Sequence, residues 1–164
     1  MNSQNKLTFL VIDDAMLIRE ILKEMIEVNL GHKVVGLGKS GQDAITMYRR
    51  LKPDIVTLDI SMPGMDGNQA LKVIKEINVN AKVVMMTSRD HEAIVKTSIK
   101  LKADGYLLKP FTPTKLYNIV IKLFPDRKSD YILSTENEIE CRDDFCELDD
   151  NSNVLEKLYR LDSD

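Results

Sequence analysis

The chain has 164 residues, 43% hydrophobic and 30% charged, with a formal net charge of −3, enough for one domain with a buried core and an appendage. Aromatic residues make up 5% and Trp is absent, which argues against a sugar-stacking lectin and against a nucleic-acid platform of stacked aromatics. Charge is unevenly placed, because residues 1–125 hold 18 Lys+Arg against 13 Asp+Glu while residues 126–164 hold 5 against 13.

The polar start at 1–6 and the short apolar run 7–12, stopped by Asp13, do not make a secretory signal. No stretch approaches the roughly 18 uncharged apolar residues of a membrane span. Both cysteines, Cys141 and Cys146, lie in the acidic tail, so a reducing, cytoplasmic location is expected rather than a disulfide framework. Residues 7–12 are continuously apolar, as a strand covered on both faces should be. Residues 15–29 place Ile18, Ile21, Leu22, Met25 and Ile26 at helical spacing, with Arg19, Glu20, Lys23 and Glu24 opposite. A second strand follows at 33–37, then a helix capped at Ser40 and running to about Arg50. Pro53 breaks the chain before a β-branched strand at 54–58. Helix 68–77, strand 82–86, helix 91–101 and strand 105–108 come next. A last helix, capped by Thr112 with Pro113 at its first position, reaches Phe124. Five strands alternating with five helices require crossovers, hence an α/β fold with a five-stranded parallel, doubly wound sheet. His32 and His91 read as exposed loop and helix-start residues. Beyond 125 the pattern stops, leaving an acidic C-terminal extension (126–164) that is disordered or forms a short amphipathic helix at 154–161.

In such a sheet, ligands bind outside the carboxyl ends of the strands. Asp13 and Asp14 follow the first strand, Asp59 the third, Thr87 and Ser88 the fourth, and Lys109 the fifth. Parallel strands bring these groups to one edge. Two carboxylates about 4 Å apart repel by about 4 kcal/mol at an effective dielectric near 20, so three with one lysine call for a divalent cation. Oxygen donors without thiol or imidazole favour a hard ion, Mg2+ before Mn2+. Asp59, ionised without a base, suits the nucleophile of phosphoryl transfer, with Lys109 and Thr87 on the phosphoryl oxygens.

These residues carry a resemblance. The Asp13-Asp14 pair, Asp59 followed by Met62-Pro63-Gly64-Met65-Asp66-Gly67, Thr87-Ser88, and Tyr106 before Lys109-Pro110-Phe111 resemble the receiver domain of bacterial response regulators. The spacings are similar to those of the single-domain, CheY-like form, over about residues 6–125. The resemblance implies a flavodoxin-like sheet of order 2-1-3-4-5 and a receiver domain at 1–125. It implies that Asp59 accepts a phosphoryl group from a histidine kinase. Asp14, Asp59 and the Ser61 carbonyl would ligate Mg2+, with Asp13 acting mainly through water. Thr87, Ser88 and Lys109 would contact the phosphoryl group, and Lys109-Pro110 would be cis. Thr87 and Tyr106 would form the switch. Val95, Ile99, Tyr106 and Lys122 would lie on an output surface for a flagellar motor switch protein or another protein target. It further implies a monomer that catalyses only its own phosphorylation and dephosphorylation, aided by a phosphatase, with no DNA or membrane as partner. Ser61 and Arg89 depart from the amide and acid that common chemotaxis regulators carry at these hydrolysis-tuning positions, and the acidic tail has no counterpart in the single-domain form.

Taken singly, the residues also have plainer readings: Asp13-Asp14 as a solvated turn capping the first helix, Asp59 as a loop residue, Lys109 as a surface lysine, Tyr106 as cover for the sheet edge. Rival functions are a phosphorelay intermediate, a regulator of a non-motility target, a phosphorylation-independent binding module, and a small phosphatase with an Asp nucleophile. The last expects an acid two residues after the nucleophile, where Ser61 stands.

Overall fold

The structure, a computed structural model, describes residues 6–88 and 92–126, with the backbone alone for 92–95. In chain order it comprises β1 (Thr8–Ile12), α1 (Met16–Glu24) prolonged by a π-helical turn (Met25–Asn29), β2 (Lys33–Gly38) and α2 (Gly41–Leu51), then β3 (Ile55–Asp59) and α3 (Gly67–Ile77). β4 (Lys82–Thr87), α4 (Glu92–Lys100), β5 (Gly105–Leu108) and α5 (Pro113–Leu123) complete it. All strand pairs are parallel, in the order β2-β1-β3-β4-β5, as the alternating pattern and the resemblance led one to expect.

The apolar strand runs reflect burial on both faces. Successive side chains of a strand point to opposite sides, so Leu10 and Ile12 join Ala44, Tyr48, Leu71 and Ile74 on the face covered by α2 and α3. Phe9 and Val11 join Leu22, Ile26, Leu116 and Val120 beneath α1 and α5 on the other. Every residue of β3 is buried, which is why that strand shows no polar alternation.

Helix starts follow local chemistry. Ser40 Oγ accepts from the Asp43 amide at 3.1 Å, and Thr112 Oγ1 from the Lys115 amide at 3.3 Å ahead of Pro113. A capping box not foreseen in the sequence begins α3, with Asp66 Oδ1 accepting from Gln69 N at 2.8 Å and Gln69 Oε1 from Asp66 N at 3.0 Å.

Two expectations need correction. The helix expected over 15–29 keeps α-helical hydrogen bonding only to Glu24; the Leu30 amide then reaches back to the Met25 carbonyl at 3.0 Å. The wider turn lets both Ile26 and Leu30 be buried before Gly31, at φ 70°, redirects the chain. His32, expected to be exposed, is buried. The redirected chain lays its ring on Phe9, with centroids 5.5 Å apart and planes at 24°, and Nδ1 accepts a long bond from the Leu7 amide at 3.4 Å.

Candidate functional site

The sheet reverses its winding between β1 and β3, and the polar strand-end residues gather at the carboxyl edge beside that reversal. Asp13 leaves β1 with its amide on the Gly38 carbonyl at 3.1 Å. Its side chain is fully buried. Oδ1 accepts from the Ala15 amide at 2.9 Å and Oδ2 from Lys109 Nζ at 2.8 Å. The plain reading of Asp13-Asp14 as a solvated, capping turn therefore fails. Only Asp14 is exposed, and the residue preceding α1, Ala15, caps nothing with its side chain.

Asp59 is the last residue of β3 rather than the first after it. It is 4% exposed, and its Oδ1 accepts from Lys109 Nζ at 3.0 Å. Pairing with β4 continues one step beyond, through the Ile60 amide to the Met86 carbonyl at 3.0 Å. Thr87 ends β4, buried, with its hydroxyl donating to the Ser88 carbonyl at 2.9 Å. Its own carbonyl accepts from the Lys109 amide at 2.8 Å, which locks the end of β5 to the end of β4. The Lys109-Pro110 bond is cis. Ser61 is exposed and Ser88 half-buried.

One ammonium thus spans the two most buried carboxylates. Burial raises the Asp59 carboxyl above its usual range, with Asp13 and Asp14 adding to the effect and Lys109 opposing it. Burial alone would lower the Lys109 pKa, yet its hydrogen bonds to Asp13 and Asp59 outweigh this and the net shift is upward. Asp13, Asp14 and Asp59 each bring a carboxylate oxygen within 4.8 Å of the others. Three acids crowded around one lysine, with no thiol or imidazole in the donor set, fit a hard divalent cation.

Two contributors escaped the sequence reading. Arg19 Nη1 donates to the Asp13 carbonyl at 2.7 Å and to the Asp14 carbonyl at 3.1 Å, tying the acidic turn to the first turn of α1. Its position five to six residues beyond the acids is the only sequence signal. Gly67 packs where a methyl group would run into the Asp59 carbonyl oxygen and lie 2.8 Å from Ile60 Cα, so β3 and α3 close on each other only because no side chain intervenes.

Tyr106 in β5 is buried, with its hydroxyl beside that of Ser98. Burial pushes its pKa up to about 12, eased by the neighbouring Ser98 hydroxyl. Ile99 packs against the same core cluster as Tyr106, whereas Lys122 is exposed on α5. Arg89 and His91, the Val95 side chain, and the tail beyond 126 lie outside the described residues.

Comparison with known proteins gives a consistent result. The response regulator receiver domain profile matches residues 9–121. The chemotaxis protein CheY of Thermotoga maritima is 39% identical over 114 residues, 70% of this chain and 94% of that protein. The nitrate/nitrite response regulator NarL of Escherichia coli K12 is 36% identical over 116 residues, but the match spans only 54% of NarL. Among solved structures, CheY in the CheX–CheY–BeF3–Mg complex of Borrelia burgdorferi superposes with a TM-score of 0.67 at 30% identity, over 72% of this chain and 89% of that one.

Proposed function

Because the chain belongs to the response regulator receiver domain family, we propose that it is a signalling switch set by transfer of a phosphoryl group from a histidine kinase to Asp59. The single observation that carries this reading is Lys109 Nζ bridging Asp13 and Asp59 at 2.8 and 3.0 Å among three clustered carboxylates.

In the proposed reaction an Asp59 carboxylate oxygen attacks phosphorus as the phosphorus–nitrogen bond to the donor imidazole breaks. The bonding pair stays on the imidazole, and Asp59 becomes an acyl phosphate. Asp14, Asp59 and the Ser61 carbonyl would hold Mg2+, with Asp13 beside them, and the ion would supply positive charge to the phosphoryl oxygens. Lys109 stands ready to take a second phosphoryl oxygen, and Thr87, with Ser88 beside it, a third. Hydrolysis by water would release inorganic phosphate and restore the carboxylate, at a rate tuned by the positions two after Asp59 and Thr87, Ser61 and Arg89. The Mg2+ and BeF3 in the Borrelia CheY complex support this assignment of roles. Movement of Thr87 toward the phosphoryl group would then be read out by Tyr106 and an output surface that includes Val95, Ile99 and Lys122.

The near full-length match to Thermotoga CheY, against a match to half of NarL, supports a cytoplasmic receiver at 1–125 acting on a chemotaxis or motor switch protein, with 126–164 as an extension. No helix of the described residues is long and apolar enough to cross a membrane.

The test is intact-mass measurement after incubation with a small acyl phosphate, with and without Mg2+, for wild type and Asp59→Asn. A single phosphoryl adduct needing both Mg2+ and Asp59 is expected. Its absence from folded protein would overturn the reading in favour of a phosphorylation-independent binding module.

A further inference from the structure

Charge divides the chain into three parts. Residues 1–92 hold 12 Lys+Arg against 12 Asp+Glu, residues 93–125 hold six against one, and residues 126–164 hold five against 13. The whole positive excess of the folded domain therefore belongs to α4, β5, α5 and their connections. Two of those charges are used elsewhere. Lys109 turns into the strand-end site, and the lone carboxylate, Asp104, is held by Lys75 at 2.7 Å and Lys82 at 3.4 Å. The other five lysines are exposed: Lys96 and Lys100 on α4, Lys102 in the following turn, and Lys115 and Lys122 on α5. Among the described residues β5 is the last strand of the sheet, paired only with β4. Ile99 of α4 packs on one face of the sheet and Leu116 and Val120 of α5 on the other, so the two helices that carry four of these lysines cover opposite faces of the sheet.

The counter-charge is in the same chain. Residues 136–150 carry eight Asp and Glu against Arg142 alone. We propose that this acidic segment docks across the α4–β5–α5 face of its own domain, an electrostatic cover that any outside partner of that face must displace. Reach is no obstacle. The ten residues from Asp126 to Thr135 span up to about 33 Å, twice the length of α5 at about 16 Å. Tethering holds the segment at roughly millimolar effective concentration. Single exposed ion pairs contribute little, so the docking is collective and sensitive to salt. Its regulatory meaning rests on the output surface proposed above; the docking itself does not.

The chain's two cysteines, Cys141 and Cys146, both fall inside this segment, so nitroxide labelling of the full, unmodified sequence places the probe where it is needed. Paramagnetic broadening of backbone amides is then measured without phosphoryl donor, so the result is independent of Asp59 chemistry. Expected is broadening of Lys100, Lys102 and Lys115 amides several-fold above that of α2 amides. It should vanish in about 1 M NaCl, where the screening length is near 3 Å, and in the folded triple variant Lys100→Glu, Lys102→Glu, Lys115→Glu. Broadening that is absent, uniform over the domain, or unchanged by salt and charge reversal would overturn the proposal. So would broadening of equal size when labelled chain is mixed with unlabelled, isotope-enriched chain, which would mean that a second copy supplies the segment.

Discussion

Lys109 is the residue on which the site's electrostatics turn. Its side chain is 24% exposed, while the side chains of the two acids it bridges are 0% and 6% exposed. Lys109→Met would leave both acids buried without a cation, and a loss of about 2 kcal/mol is expected at pH 7, discounted from the fully buried case for solvent access. Urea unfolding measures it. Asp59 behaves in the opposite sense. Its folded pKa lies above the unfolded value of 3.8, so ionised Asp59 weakens the fold at neutral pH, and the penalty fades as pH falls through the folded value toward 3.8. Without divalent cations, Asp59→Asn should therefore melt above wild type at pH 7, with the gap closing toward pH 4. A gap that widens on acidification would contradict the burial-driven shift.

Among the elements, the junction of β3 and α3 is the tightest. Gly67→Ala sets a methyl group against the Asp59 carbonyl and Ile60 Cα, and backbone atoms cannot yield as a side-chain tip does. A loss of about 1–3 kcal/mol is expected in thermal or urea unfolding, with weaker Mg2+ binding because the Asp59 backbone itself is displaced. Element boundaries were legible where local chemistry sets them: Ser40 and Thr112 cap as their types predict. The π-helical turn at Met25–Asn29 was not legible, because the periodic apolar residues 18–26 look the same whether the last turn is α or π. Burial of Ile26 and Leu30 against a sheet assembled from distant segments decides it. The burial of His32 is hidden from the sequence for the same reason, since its partner Phe9 lies far away in the chain.

At the scale of the whole molecule, the site joins four strand ends and is assembled only by the complete sheet. A cation held, as proposed, by Asp14 and Asp59 would bind the folded state alone, so Mg2+ at about ten times its Kd should stabilise wild type by about 1.4 kcal/mol. Asp14→Asn and Asp59→Asn should each lose most of that gain, as calorimetric melting with and without Mg2+ would record. Equal stabilisation of all three proteins would place the ion elsewhere.

The sequence by itself determined the fold class, the strand order through its resemblance, and the identity of the acids, hydroxyl and lysine at the strand ends. It did so because short two-face-buried runs and helix caps are local signals, and parallel topology converts strand ends into one edge. Only the tertiary structure decided that Asp13 is buried while Asp14 is exposed, that Lys109 holds Asp13 and Asp59 together, that Arg19 secures the acidic turn, and that Tyr106 is turned into the core. Each of these depends on contacts between residues distant in the chain, or on which side of a turn a group finally faces, and neither periodicity nor composition records that.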